Sequence, residues 1–313
     1  MRKIYKGTLI ISLDTELGLG HLANNEIKRY NQQFLKGGVV IQRLIDLLNK
    51  YKISATWAIV GKLIEKEKIR NIQFFYPLDD VTEKYILSNR HIYHYESLVK
   101  ILNESETYQE IASHSYSHIT FNKGYRKHYA NKKLALDDFN ANKKCFNEYN
   151  ISPKSFVYPQ NRPGYEEFLN DFGFNTYRGK ELKWYNGLPK IFLKLAKGID
   201  NITPIPPCVS LPIIKDQNLI ETNGHLHFAK LPSGYRKFMP WWVLKLKLFF
   251  GLKKAIYLKK TFHLWTHPYD LAFQEQKHIE VLEWFFKKVN KYRRSKKLQV
   301  LTMGELNSKG SSI

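Results

Sequence analysis

His114 and His118 stand four residues apart in Glu110-Ile-Ala-Ser-His-Ser-Tyr-Ser-His118, directly after a short apolar run. Imidazoles at that spacing share one side of a helical turn about 5–6 Å apart, and a divalent cation about 2.0–2.1 Å from each nitrogen bridges such a gap. A hard or borderline cation also takes a carboxylate. One is offered where the first apolar run ends, in Thr8-Leu-Ile-Ile-Ser-Leu-Asp14-Thr-Glu16, because period-two alternation points Asp14 and Glu16 to the same side of a strand. A further acid-base group closes the run Thr261-Phe-His-Leu-Trp-Thr-His267-Pro268. Each motif alone is ordinary: histidines four apart arise readily by chance among 11, and an acid after a strand often caps the next helix. Three separate strand-like runs ending in groups that bind metal or move protons is the informative pattern.

The elements that must position these groups alternate between strand and helix, which predicts a parallel sheet built from βα units. Strands are expected at 8–14, 54–60, 109–113, 155–160, 174–178, 261–266 and 298–302. Helices are expected at 38–50, 129–149, 163–172 and 274–294 from their 3.6-residue periodicity. A polar, aromatic-rich insertion occupies about 67–100, and an irregular region spans about 185–258, where Pro204, Pro206 and Pro207 oppose a long helix. Neither an internal repeat nor a linker is evident, so one domain over 1–313 is the simplest organisation. If the strands close into a barrel, Asp14, Glu16, His114, His118, Asn161 and His267 all fall at the carboxyl-end rim, where such folds build sites.

Composition bounds the class. With 313 residues and 43% hydrophobic content the chain can bury a large core, and Cys145 and Cys208 form neither a disulfide framework nor a C-x-x-C pattern. The first apolar run is too short for a signal peptide and no stretch reaches the roughly 20 apolar residues that span a bilayer, so a cytoplasmic protein is expected. Fifty Lys and Arg against 28 Asp and Glu give a formal charge of +22, which suits a polyanionic partner or a lysine-rich surface alone. The stretch 236–254 interleaves lysines with Trp241, Trp242, Phe249 and Phe250. It reads first as a barrel-wrapping helix with snorkelling lysines, and second as a contact with an anionic membrane at its inner face.

These segments resemble the polysaccharide deacetylases, metal-dependent hydrolases of acetyl groups on sugars with an irregular (β/α)7 barrel. Ser12-Leu-Asp14-Thr-Glu16 resembles the acid motif after the first strand, Ala55-Thr-Trp57 the second strand, Glu110 to His118 the metal-binding motif, and Leu264-Trp-Thr-His267 the last motif. The first motif departs from the usual pair of adjacent aspartates, with Thr15 between the two acids. The arginine motif is altered to Phe156-Val-Tyr-Pro-Gln-Asn-Arg162-Pro163, and the aspartate-tryptophan motif that supports the acid histidine cannot be placed.

The resemblance implies a divalent ion, zinc foremost, held by His114, His118 and Glu16; Asp14 as base; His267 as acid; and Arg162, or alternatively Arg178, orienting the base. It assigns Tyr158, Asn161 and Trp265 to the substrate, with a backbone N–H near Tyr158 at the oxyanion. The implied substrate is an acetylated sugar, N-acetyl first, of a polysaccharide or lipid-linked precursor. His263, four residues back from the rim, is expected to be a buried structural histidine. The rivals are a catalytically silent sugar-binding relative and a glycoside hydrolase using Asp14 and Glu16, and nucleic acid is not expected as a partner.

Overall fold

The computed structural model describes residues 6–24, 27–66, 80–122, 129–216 and 219–307. Nearly every second residue of β1 (Gly7–Thr15) enters a different layer, which is the key to the architecture. Leu9, Ile11 and Leu13 pack outward under the helices, whereas Ile10 packs inward with Ala58, Ala112, Val157 and Ile220 from the other strands. Ser12 and Asp14 follow Ile10 on that inner side by the two-residue period.

Around β1 run β2 (Thr56–Ile59), β3 (Glu110–Ser113), β4 (Ser155–Val157), β5 (Thr176–Glu181), β6 (Ile213–Asp216), β7 (Leu219–Gly224), β8 (Leu226–His227), β9 (Thr261–Thr266) and β10 (Leu298–Val300). Their order is β6-β7-β5-β4-β3-β2-β1-β9-β8. β7 pairs in parallel with β5 at one edge, and β8, one residue further along the same stretch, pairs in parallel with β9 at the other. Residues 219–227 therefore join both edges, and β1, β2, β3, β4, β5, β7–β8 and β9 make the expected seven-stranded parallel barrel. β6 is an antiparallel flap on β7, and β10 lies beside Gly7–Leu9 of β1 until β2 takes that edge at Ser12.

Among the described residues ten α-helices complete the fold: α1 (Ile27–Leu35), α2 (Gly37–Tyr51), α3 (Asp80–Ser88), α4 (Leu98–Asn103), α5 (Lys132–Asn147), α6 (Glu167–Asp171), α7 (Lys190–Ile202), α8 (Trp241–Leu258), α9 (Pro268–Leu271) and α10 (Glu275–Arg294). α2 shows why the periodicity was legible: Val40, Ile41, Leu44, Ile45 and Leu48 recur at three- and four-residue steps and all are buried. Its end is set by Lys52, which takes the left-handed conformation at φ 50°.

The expected elements are present with shifted ends. The region 185–258 is more ordered than its prolines suggest, because α7 ends at Ile202, just before Pro204, and the barrel-closing strand lies beyond them. That strand was hidden by its own inner face, since Thr222 and Gly224 follow Ile220 there and the apolar alternation is lost. The insertion holds α3 and α4, while residues 67–79 lie outside the described residues. The stretch 236–254 is mostly the wrapping helix α8, with Val243, Leu244, Leu248 and Leu252 fully buried. Lys247 is buried rather than snorkelling, its Nζ 2.8 Å from Asp200 Oδ1. Among the described residues no helix is long and apolar enough to cross a membrane.

Candidate active site

Three donor atoms meet at the carboxyl-end rim. His118 Nε2 lies 2.7 Å and His114 Nε2 3.2 Å from the same atom, Glu16 Oε2, with all three side chains buried. The ligand atoms of these residues fall within 4.8 Å of one another. His114 Nδ1 sits 2.7 Å from the Val157 carbonyl, which only accepts, so Nδ1 carries the proton and Nε2 presents a lone pair. A lone pair facing a carboxylate oxygen at 3.2 Å is unfavourable unless a positive charge lies between them. The donor set of two imidazoles and one carboxylate thus fits a divalent cation with an open fourth position, for which a tetrahedral edge is about 3.4 Å.

The cup is not made by a helical turn, as the four-residue spacing suggested. His114 to His118 form a loop after β3 in which Ser115 (φ 65°) and His118 (φ 59°) are both left-handed. Such residues cost about 1–3 kcal/mol each and persist only where surroundings fix them. Asp138 of α5 does so: its carboxylate accepts from Tyr116 N (2.9 Å), Ser117 N (3.0 Å) and Ser117 Oγ (2.6 Å). Burial lifts Asp138 to about 6 against those donors. An acid on the buried stripe of α5, beside Ala135, Phe139 and Asn142, is the trace that sequence alone offered for it. Glu16 needs space as well as partners, since a Cβ at Gly20 would lie 2.0 Å from its Oε1.

Beside the cup, Asp14 is clamped by Arg178 of β5, with Nη1 2.8 Å from Oδ1 and Nη2 on Oδ2. Burial favours the neutral acid, yet the Arg178 guanidinium outweighs it and holds the Asp14 pKa below the usual carboxylate range. Arg178, fully buried, also donates to Ser12 Oγ (2.8 Å) and, from Nε, to Asn161 Oδ1 (2.9 Å). The guanidinium on Asp14 is therefore that of Arg178 and not of Arg162, because strand alternation turns Arg178 inward while Arg162 follows the half-exposed turn after β4.

His267 sits opposite, Nε2 3.6 Å from Glu16 Oε1 and 3.9 Å from Asp14 Oδ2. Its Nδ1–H donates to Asp270 Oδ2 at 2.9 Å. Burial opposes the imidazolium, but Glu16, Asp270 and Asp14 overcome it and raise the pKa to about 9. Asp270 supplies the support that could not be placed in sequence; it lies three residues on, in the first turn of α9, which Pro268 opens. His227 on the barrel-closing strand donates to the same Asp270 oxygen at 3.1 Å, and Tyr269 donates to Glu16 Oε1 at 3.0 Å.

The three residues assigned to substrate take other places. Tyr158 is fully buried and points outward, since Val157 before it points in, and packs edge-on against Phe121, Phe156 and Tyr177. Trp265 is a buried platform, stacked on His227 at 4.2 Å with the Arg178 guanidinium 4.7 Å above its ring. Asn161 braces Arg178. His263 is structural as expected, buried with Nε2 2.8 Å from Ser12 Oγ.

Residues 37–167 match the sequence model of the Polysaccharide deacetylase family. A crystal structure assigned as a polysaccharide deacetylase from Mycobacterium smegmatis superposes with a TM-score of 0.62 at 11% identity, covering 98% of this chain and 91% of that one. Over residues 37–167 the chain is similar to the polysaccharide deacetylases. A second structure assigned to polysaccharide deacetylases, from Pseudomonas aeruginosa PAO1, gives 0.58 at 11% identity over 96% of this chain and 89% of that one. The 4-alpha-glucanotransferase of Thermococcus litoralis gives 0.51 at 12% identity over 98% of this chain but 41% of its own, and likeness of fold does not by itself fix the chemistry. No curated protein sequence matches the chain. The matched segment contains His114 and His118 but not Asp14, Glu16, Arg178 or His267, which only the geometry joins to them.

Proposed function

We propose that the chain is a metal-dependent hydrolase that removes an acetyl group, N-acetyl first, from a sugar of a polysaccharide or glycolipid precursor. The observation that carries this reading is the juxtaposition of a His114–His118–Glu16 cup with Asp14, paired to Arg178, on one side and His267, bonded to Asp270, on the other. A divalent cation, zinc foremost given two imidazoles and one carboxylate, would polarise the acetyl carbonyl and lower the pKa of water towards about 7. Asp14, kept ionised by Arg178, takes the proton from the attacking water. His267, charged at neutral pH, gives its proton to the departing amine, while Asp270 holds the ring so that Nε2 faces the cup. Trp265 and Asn161 fix Arg178 and thereby Asp14.

The glycoside hydrolase reading fares worse. Such an enzyme needs one carboxyl held neutral to act as the acid, whereas Asp14 and Glu16 are both held below the ordinary range by the cations around them. Metal content and acetate release from N-acetylated oligosaccharides, measured together on the wild type, His114→Ala, His118→Ala and Glu16→Ala, test the proposal. Each variant is expected to lose the metal and to lose more activity than the roughly 100-fold limit for outer-shell partners. Metal-loaded wild type that binds acetylated glycan but releases no acetate would make the chain a silent relative instead.

A further inference from the structure

α7 is amphipathic in the reverse of the usual sense. On a helix advancing about 100° per residue, Ile191, Phe192, Leu195, Ile199 and Ile202 fall within one arc of about 100°, and that arc faces solvent, with Ile191 80% and Leu195 64% exposed. The inner side holds Ala196, which is buried, and Asp200, which accepts from Trp184 Nε1 (3.0 Å) and Lys247 Nζ (2.8 Å). α7 is thus tethered by polar contacts while its apolar face stays uncovered, the opposite of a helix packed on a core. The apolar surface continues onto the adjoining turn Tyr235–Phe238, where Phe238 is 69% exposed.

The charges around this surface decide its occupant. Lys190, Lys194 and Lys197 line the neighbouring arc of α7, all exposed, and Lys237 lies in the adjoining turn. Glu181 and Asp200, acids on the described residues nearby, are already engaged, with Lys183 at 2.8 Å and with Lys247 respectively. A second copy of the chain on this face would set lysines against lysines, whereas an anionic bilayer accepts both the apolar wedge and the cationic border. We propose that α7 and the 235–238 turn form an in-plane anchor that seats the protein on an anionic lipid surface. Thirteen residues span about 20 Å, long enough to lie in the interface and too short to cross it. The anchor moves the expected membrane contact from 236–254, whose apolar residues largely serve the core, to α7.

The anchor adjoins the rim of the barrel. α7 follows the carboxyl end of β5, and Arg236 Nη1 donates to the carbonyls of His227 (3.0 Å) and Ala229 (2.9 Å). This inference stands apart from the hydrolase reading and is tested without an activity assay.

The test is co-sedimentation of the full chain at low ionic strength with phosphatidylcholine vesicles, with and without about a quarter phosphatidylglycerol. Wild type is expected to pellet with the anionic vesicles and to be partly released by salt. The exposed triple variant Ile191→Ser, Phe192→Ser, Leu195→Ser is expected to lose about tenfold or more in partitioning with an unchanged circular dichroism melt. Lys190→Gln, Lys194→Gln, Lys197→Gln is expected to lose the preference for phosphatidylglycerol, and Trp242→Ser on α8 to change neither. Absence of wild-type binding to anionic vesicles, or equal binding by the apolar triple variant, would overturn the anchor. So would a wild-type dimer that the triple variant converts to monomer without any vesicle binding.

Discussion

Two buried glutamates at opposite ends of one barrel are driven in opposite directions. Glu16 at the carboxyl-end rim starts with the burial penalty, yet His118 and His267 hold its pKa well below normal. Glu110, at the amino end of β3, carries the same penalty and meets only neutral donors: Ser155 Oγ, Thr56 Oγ1 (2.7 Å) and Gly304 N (3.0 and 3.1 Å). Its pKa is raised. Burial is common to both, so the sign is set by whether the facing groups carry charge. One end of the barrel gathers donor atoms that could hold a cation, and the other is a neutral hydrogen-bonded plug that ties β2, β3 and β4 to the chain after β10.

The largest effect expected at the charged end, short of losing the metal ligands, comes from Arg178→Met. It leaves Asp14 buried without its cation, which should cost about 3–5 kcal/mol in urea unfolding at pH 7 with chelator present. Because the folded pKa of Asp14 is depressed, its stabilisation is present above the unfolded value of about 4 and fades as pH falls through the folded one. The cost of Arg178→Met should accordingly shrink on acidification. A cost that is constant from pH 7 to pH 4 would show that the ion pair does not set the fold's acid stability.

Asp270→Asn separates His267 from a carboxylate that raises it, so its pKa should fall from about 9. The basic limb of the kcat/KM profile should move down by about a unit or more. A limb that stays in place would remove His267 from the role of acid.

At the neutral end, Glu110→Gln should cost about 1 kcal/mol near pH 4, since the hydroxyls of Ser155 and Thr56 can turn to serve an amide. Here the folded pKa is raised, so the carboxyl's contribution is complete below the unfolded value of about 4.3 and is lost as pH rises through the folded one. The cost should diminish towards pH 7, opposite in slope to Arg178→Met; parallel slopes would break the contrast between the two ends.

Tyr158→Phe should change least. Its hydroxyl is buried with no hydrogen-bond partner among the described residues, so KM should hold and stability should stay level or rise by about 1 kcal/mol. A raised KM would return Tyr158 to the substrate.

The convergence of Asp14, Glu16, His114 and His267 was legible because each closes an apolar run, and a two-residue period aims the last residues of a strand without reference to the rest of the chain. The same rule, applied to Phe156-Val-Tyr158, places Tyr158 outward once Val157 is known to face in. Partners that act across the barrel were not legible. Arg178 reaches Asp14 over 164 residues of sequence and Tyr269 reaches Glu16 over 253. Asp138 looked like an ordinary helix residue until its carboxylate was found under the backbone of Tyr116 and Ser117.

By itself the sequence determined the strand and helix periods, the barrel class and which side chains end the strands at the rim, Asp14, Glu16, His114 and His267 among them, because those depend on spacing along the chain. Only the tertiary structure decided which arginine clamps Asp14, which aspartate holds His267 and which helix leaves its apolar face to solvent. Those outcomes depend on distances through space, and the closing of the barrel by residues 219–227 sets them all at once.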